Sequence, residues 1–220
     1  MITELFILAI LVLLAGTIIP LMAASLDRRS VRTISFICII LAAVLLGCLS
    51  LFVLLSGESV LFTLYQPLPL ISFSFVIDQL ASFFLLIIAL VSACVALYFS
   101  EYIEHMEGDS RRNLLCGSTS LFILAMVLIV ASANTLSFFL FWELMAASSF
   151  LLVTYEYTHD ETRKAGIFYF VMTQLSSVFV LLGIIVLFVL SGSLAIAPLT
   201  VASYPLEKVG EGINPVTNIL

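Results

Sequence analysis

Residues 132–156 read SANTLSFFLFWELMAASSFLLVTYE. From Thr135 the run is almost wholly apolar and about twenty residues long, enough to cross a bilayer as a helix. One carboxylate, Glu143, interrupts it. With about 1.5 Å of rise per residue, Glu143 lies roughly 12 Å from one end of the run and about 18 Å from the other. A charge at that depth costs on the order of 3 kcal/mol, so its presence points to a role. Desolvation favours the neutral form of a buried carboxyl, and hydrogen-bond donors or a nearby cation favour the ionised form. A group balanced between the two is what a proton relay requires. The plain alternative is an inert glutamate bonded to a neighbouring helix.

The residues around Glu143 favour an interior position. Ala146, Ala147, Ser148 and Ser149 follow it, and small side chains let membrane helices approach closely. Trp142 lies too deep for an interfacial anchor and is expected to pack against another helix.

The rest of the 220-residue chain has the same character, with 63% hydrophobic and 10% charged residues. Soluble domains carry about 25% charged residues. The expected fold is therefore an all-α polytopic membrane protein with six transmembrane helices. The spans fall near residues 5–25, 34–55, 79–99, 114–132, 135–153 and 165–190. The first begins with MITE, which has no positive charge, so it reads as a retained helix and not a signal peptide. Residues 56–78 break the pattern with Gly57, Pro67 and Pro69, and LPLISFSFVID alternates as a short surface strand or hairpin would. Asp78, just ahead of the third span, suits a helix cap. Thr158 and Glu161 have the spacing of a capping box before the sixth. Fourth and fifth spans are joined so tightly, around Ala133 and Asn134, that they must be antiparallel neighbours.

Three divisions follow: a leading three-helix segment over 1–113, helices four to six over 114–190, and a polar or interfacial tail over 191–220. Arg28, Arg29, Arg32, Arg111, Arg112, Arg163 and Lys164 all fall on one side of a six-span topology, with Lys208 alone on the other. By the positive-inside rule both termini face away from the cytoplasm, in a multi-pass protein of the cell's inner membrane. Tyr98, Tyr102, Tyr155 and Tyr157 suit an aromatic belt on the charged side.

A net charge of -6 and the lack of a basic cluster argue against a nucleic-acid partner. Cys38, Cys48, Cys94 and Cys116 form no CxxC pair and lie apart from His105 and His159, so neither a metal nor a cofactor site is expected. On the sixth span, Thr173 and Ser177 share a helix face with Gln174 beside them. These could line a water chain or hold helices together.

Several segments carry a family resemblance. MVLIVASANTLSFFLFWELMAASSFLLVTYE resembles the fourth and fifth helices of the antiporter-like proton-conducting subunits of complex I, group 4 membrane-bound hydrogenases and multisubunit cation/proton antiporters. FVIDQLASFFLLIIALVSACVALYFSEYI is similar to their third helix, and ETRKAGIFYFVMTQLSSVFVLLG to their sixth. The wording FWELM followed by TRKAGIFYFVMTQ resembles the hydrogenase-associated branch, the formate hydrogenlyase type, most closely. The resemblance implies that Glu143 is the family's functional glutamate, which works with a lysine on a broken seventh helix. It also implies an ion-translocating subunit without redox chemistry of its own, in an oxidoreductase complex with other membrane subunits as partners.

Family members usually have about fourteen helices, arranged as inverted repeats after a leading three. Here only the leading three and the opening of the first repeat are present. Where some relatives carry charges on the sixth helix, this chain has Gln174 and Ser177. An incomplete sequence, a split subunit completed by a second polypeptide and a shortened structural homologue all agree with this. The expected function is a proton-translocating subunit, or its N-terminal portion, of a redox-driven assembly. The alternatives are a non-conducting scaffold in such a complex and a subunit of a sodium/proton antiporter.

Overall fold

The computed structural model describes residues 2–22, 28–68, 71–104, 109–155 and 160–191. In order these form α1 (Ile2–Met22), α2 (Arg28–Ser56), β1 (Val60–Leu68), β2 (Ile71–Ile77), α3 (Gln79–Glu104), α4 (Asp109–Ala131), α5 (Thr135–Val153) and α6 (Asp160–Ser191). All six helices are long and apolar enough to cross a membrane. In hydrocarbon every backbone N–H and C=O must find a partner within the protein, and a helix supplies one for nearly all of them. The chain is a multi-pass membrane protein.

Helix ends mostly match the sequence reading. Gly57 closes α2 with φ +70, and its N–H bonds to Val53 O at 2.9 Å. That left-handed conformation is cheap only for glycine. Asp78 caps α3, its Oδ1 accepting from Ala81 N at 2.7 Å. α6 starts at Asp160, ahead of the apolar run, with Asp160 and Glu161 in its first turn, where the helix dipole favours negative charge. Thr158, His105, His159 and the tail from residue 192 lie outside the described residues.

α4 is the central helix. It packs against α1, α2, α3 and α5, and 67% of its span is buried, against 11% for α6. The main core joins Phe6 and Leu13 of α1, Ile39 and Leu46 of α2, Leu85 of α3, and Leu124 and Val127 of α4. Arg112 is more than a loop cation. It lies in the first turn of α4 and is 1% exposed, within the bundle.

The predicted surface hairpin is present. β1 and β2 pair antiparallel with Val60 opposite Ile77 and Phe62 opposite Phe75, and the register is irregular beyond Thr63. One face of the hairpin is aromatic. Phe62 and Phe75 both meet Phe6 of α1, with centroids 5.9 and 5.8 Å away, and Phe75 stacks on Phe141 of α5 at 6.1 Å. Ser74 O also accepts from Ala133 N at 2.9 Å, so β2 holds the turn between α4 and α5. The hairpin thereby anchors the start of the helix that carries Glu143.

Candidate functional site

α5 owes its start to Asn134, whose backbone is extended (φ -122, ψ 132). Its Oδ1 accepts from Leu136 N at 2.9 Å and Ser137 N at 3.4 Å, satisfying two N–H groups that a helix leaves unbonded. From that cap the helix runs without proline or glycine to Val153, and Glu143 is its ninth residue.

Glu143 is half-buried and faces α6. Its Oε2 accepts a hydrogen bond from Gln174 Nε2 at 3.1 Å. Its Oε1 is buried with no hydrogen-bond partner among the described residues. Ser177, one turn further along α6, is 4% exposed, and its hydroxyl likewise has no partner among them. The Thr173 hydroxyl is bonded back to Phe170 O at 2.9 Å. Of the residues singled out on the sixth span, Gln174 therefore meets the carboxylate directly.

Toward the end where α6 begins, a second contact joins the helices. Ser149 Oγ lies 2.6 Å from Tyr169 Oη and also donates to Ala146 O at 2.9 Å. Serine has one proton to give, so Tyr169 is the donor to Ser149. Gly166 of α6 sits directly against Thr154, and Phe150 packs on Phe170 with ring centroids 5.1 Å apart. Beside this contact a cavity of about 350 Å³ opens at the α5–α6 interface, lined by Trp142, Met145, Ala146, Tyr169, Met172, Thr173 and Ser176. Trp142 borders it, with its ring 5.9 Å from Phe138. Ala146 is buried as expected of a close helix contact, whereas Ala147 is exposed.

The site is thus a half-buried carboxylate with one oxygen bonded and the other buried and unbonded among the described residues. Among the described residues no group of His, Cys, Asp and Glu is placed to hold a metal ion. Tyr169 and Ser149 were missed as a pair by sequence reasoning, because helix-to-helix register leaves no local pattern. Asn134 could have been found, since an asparagine just before an apolar run is a helix-start signal.

Comparison with known proteins agrees with this architecture. Residues 132–214 match the family described as NADH:quinone oxidoreductase/Mrp antiporter, transmembrane region. Residues 70–113 match the family described as NADH-ubiquinone oxidoreductase (complex I), chain 5 N-terminus. A Staphylococcus haemolyticus protein bearing the name antiporter subunit mnhA2 is 32% identical over 155 residues, covering 70% of this chain and 19% of that protein. An uncharacterised Mycobacterium tuberculosis protein is 36% identical over 128 residues, 57% of this chain and 19% of its own length. The chain thus spans about a fifth of these relatives. Among solved structures, a chain of the archaeal membrane-bound sulfane sulfur reductase superposes with TM-score 0.70 at 22% identity, covering 88% of this chain and 38% of that one. A chain of the Mrp complex from Dietzia sp. DQ12-45-1b gives 0.67 at 21% identity, covering 86% and 20%.

Proposed function

We propose that this chain, which belongs to the antiporter-like family of complex I and Mrp subunits, handles protons at Glu143 within a multisubunit ion-translocating membrane assembly. One observation carries the reading. At the middle of a membrane helix stands a carboxylate with one oxygen held by an amide and the other buried without a hydrogen-bond partner among the described residues. An inert structural glutamate would be expected to have both oxygens satisfied, since each lone buried polar atom costs about 1–3 kcal/mol. Gln174 is neutral, so it orients the carboxylate and adds no charge of its own. Ser177, one turn from Gln174 on α6, has a buried hydroxyl with no partner among the described residues, free to hold bound water.

The assembly is of either redox-driven or Mrp type. The resemblance of FWELM and TRKAGIFYFVMTQ to the hydrogenase-associated branch favours the first. The 32% identity to a protein named as an antiporter subunit favours the second, a cation/proton antiporter. Co-purification with redox subunits separates them. In both, the basic ends of α2, α4 and α6 face the cytoplasm, and partner membrane subunits cover the exposed apolar faces.

The test is Glu143→Gln in the complete assembly. Proton translocation is expected to fall by roughly 10²-fold or more, the scale of losing one proton-transferring group, with the amount of protein in the membrane nearly unchanged. Translocation at the wild-type rate removes the reading. A scaffold role predicts that silent outcome, with assembly lost instead when Ala146 is enlarged.

A further inference from the structure

We infer that Gln174 is the positioning residue for Glu143 in both of its protonation states. Its N–H holds the carboxylate, and a half-turn of the amide brings its C=O to the same place to accept the carboxyl proton. The inference rests on the Glu143 reading and adds how the side chain is kept in place while its proton comes and goes.

The bond as it stands suits one state. Gln174 Nε2 donates to Glu143 Oε2 at 3.1 Å. An ionised carboxylate only accepts, whereas a protonated carboxyl has one O–H to donate. A proton on Oε2 would face an N–H, two donors with no acceptor between them. A proton on Oε1 would sit on an oxygen that is buried with no hydrogen-bond partner among the described residues. A buried donor left unpaired is costly. The amide removes both difficulties. Its NH₂ and C=O stand at the same end of the side chain, and a half-turn about the last torsion, whose wells are broad and roughly two-fold, exchanges them. Glu143 Oε2–H then donates to Gln174 Oε1 across the gap that Nε2–H spans now. The backbone and the carboxyl oxygens stay where they are.

Neighbouring groups do not take this part. The Thr173 hydroxyl is bonded back to Phe170 O, and the Ser177 hydroxyl has no partner among the described residues, so neither holds the carboxylate. α5 packs against α4, α6 and β2. Of titratable side chains, β2 has none, α4 none beyond Cys116, α5 none besides Glu143, and α6 beyond Lys164 only Tyr169. A lysine in the place of Gln174 would donate and never accept, and a methionine would do neither. The two helices also meet through Tyr169 and Ser149, Gly166 and Thr154, and Phe150 and Phe170, so position 174 can be changed in an assembled protein.

Infrared difference spectroscopy of the complete assembly in lipid nanodiscs, between alkaline and acid buffer, tests this. The C=O stretch of protonated Glu143 is the band lost in Glu143→Gln. The side-chain amide C=O of Gln174 is the band lost in Gln174→Met, and ¹³C-glutamine labelling identifies it in the wild type should that variant fail to assemble. With a turning amide, acid raises the carboxyl band and moves the amide band with it, because the amide carbonyl gains a hydrogen bond. In Glu143→Gln neither change occurs. Gln174→Met and Gln174→Lys both lower proton translocation by about 10- to 100-fold, the worth of one hydrogen bond to a charged group, although lysine still donates to the carboxylate. A carboxyl band that rises while the amide band stays still overturns the inference and leaves the relay, with Gln174 a tether only. Wild-type translocation in Gln174→Lys also overturns it, since a donor alone then suffices. No Glu143 carboxyl band in acid removes the relay and the inference together.

Discussion

Gly166→Ala tests how closely α6 approaches α5. A Cβ at this position would collide with Thr154 Cγ2 and lie 3.6 Å from Thr154 Cβ and 3.7 Å from Phe150 Cε2. Carbon atoms rest at about 3.5–4.0 Å, so the two methyls overlap. Thr154 has little freedom to turn away. Its Oγ1 donates to Phe150 O at 2.7 Å, and branching at Cβ limits its rotamers. Either that bond breaks or α6 steps back. Overpacking of this kind costs about 1–3 kcal/mol, and alanine returns about 0.5–1 kcal/mol of helix preference. The net loss is about 1–2 kcal/mol, or on the order of 5 °C in Tm. Thr154→Ser removes the clashing methyl and keeps the hydroxyl, leaving the nearest contact at an ordinary 3.6 Å. In a thermal-unfolding cycle of four proteins in nanodiscs, the double variant should recover most of the loss, with a coupling of about 1 kcal/mol or more. A single Gly166→Ala variant as stable as wild type, or no recovery with Thr154→Ser, would refute the close contact.

Asn134→Ala should cost about 1 kcal/mol through loss of the α5 cap, with Asn134→Asp close to wild type, as measured by thermal unfolding. Phe75 is 3% exposed where the hairpin, α1 and α5 meet. Phe75→Ala should cost about 3–5 kcal/mol and speed hydrogen exchange in β2 and the first turn of α5, leaving α2 and α3 protected. Uniform acceleration through all helices would mean that the hairpin is not a separate clamp.

The helices were legible because lipid imposes one rule on every residue of a span. The hairpin was legible because Ile71, Phe73, Phe75 and Ile77 alternate with other residues, and Gly57 and Asp78 because their roles depend on neighbours in sequence. Glu143 stood out through cost alone. Its partner was narrower information. Thr173, Gln174 and Ser177 all lie close together on one helix, and only the relative depth of α5 and α6 selects Gln174. The same lack of register hid Tyr169 from Ser149. Arg112 looked like one more loop cation because nothing nearby in sequence reveals that α4 is the central helix and carries its first turn into the bundle.

The unequal lengths of the two site helices have a mechanical consequence. α5 has 19 residues and is about 28 Å long, which nearly equals a hydrocarbon layer of about 30 Å. A helix that just matches the layer has little slack, and Glu143, its ninth residue, stands near the middle of it. α6 has 32 residues and is about 48 Å long. The surplus must emerge into the headgroups or be taken up by tilt, so the bilayer does not set the height of α6. Gln174 is held level with Glu143 by contacts between the two helices, and a piston-like slip of one helical turn, about 5.4 Å, would exchange the amide for another residue without moving the carboxylate.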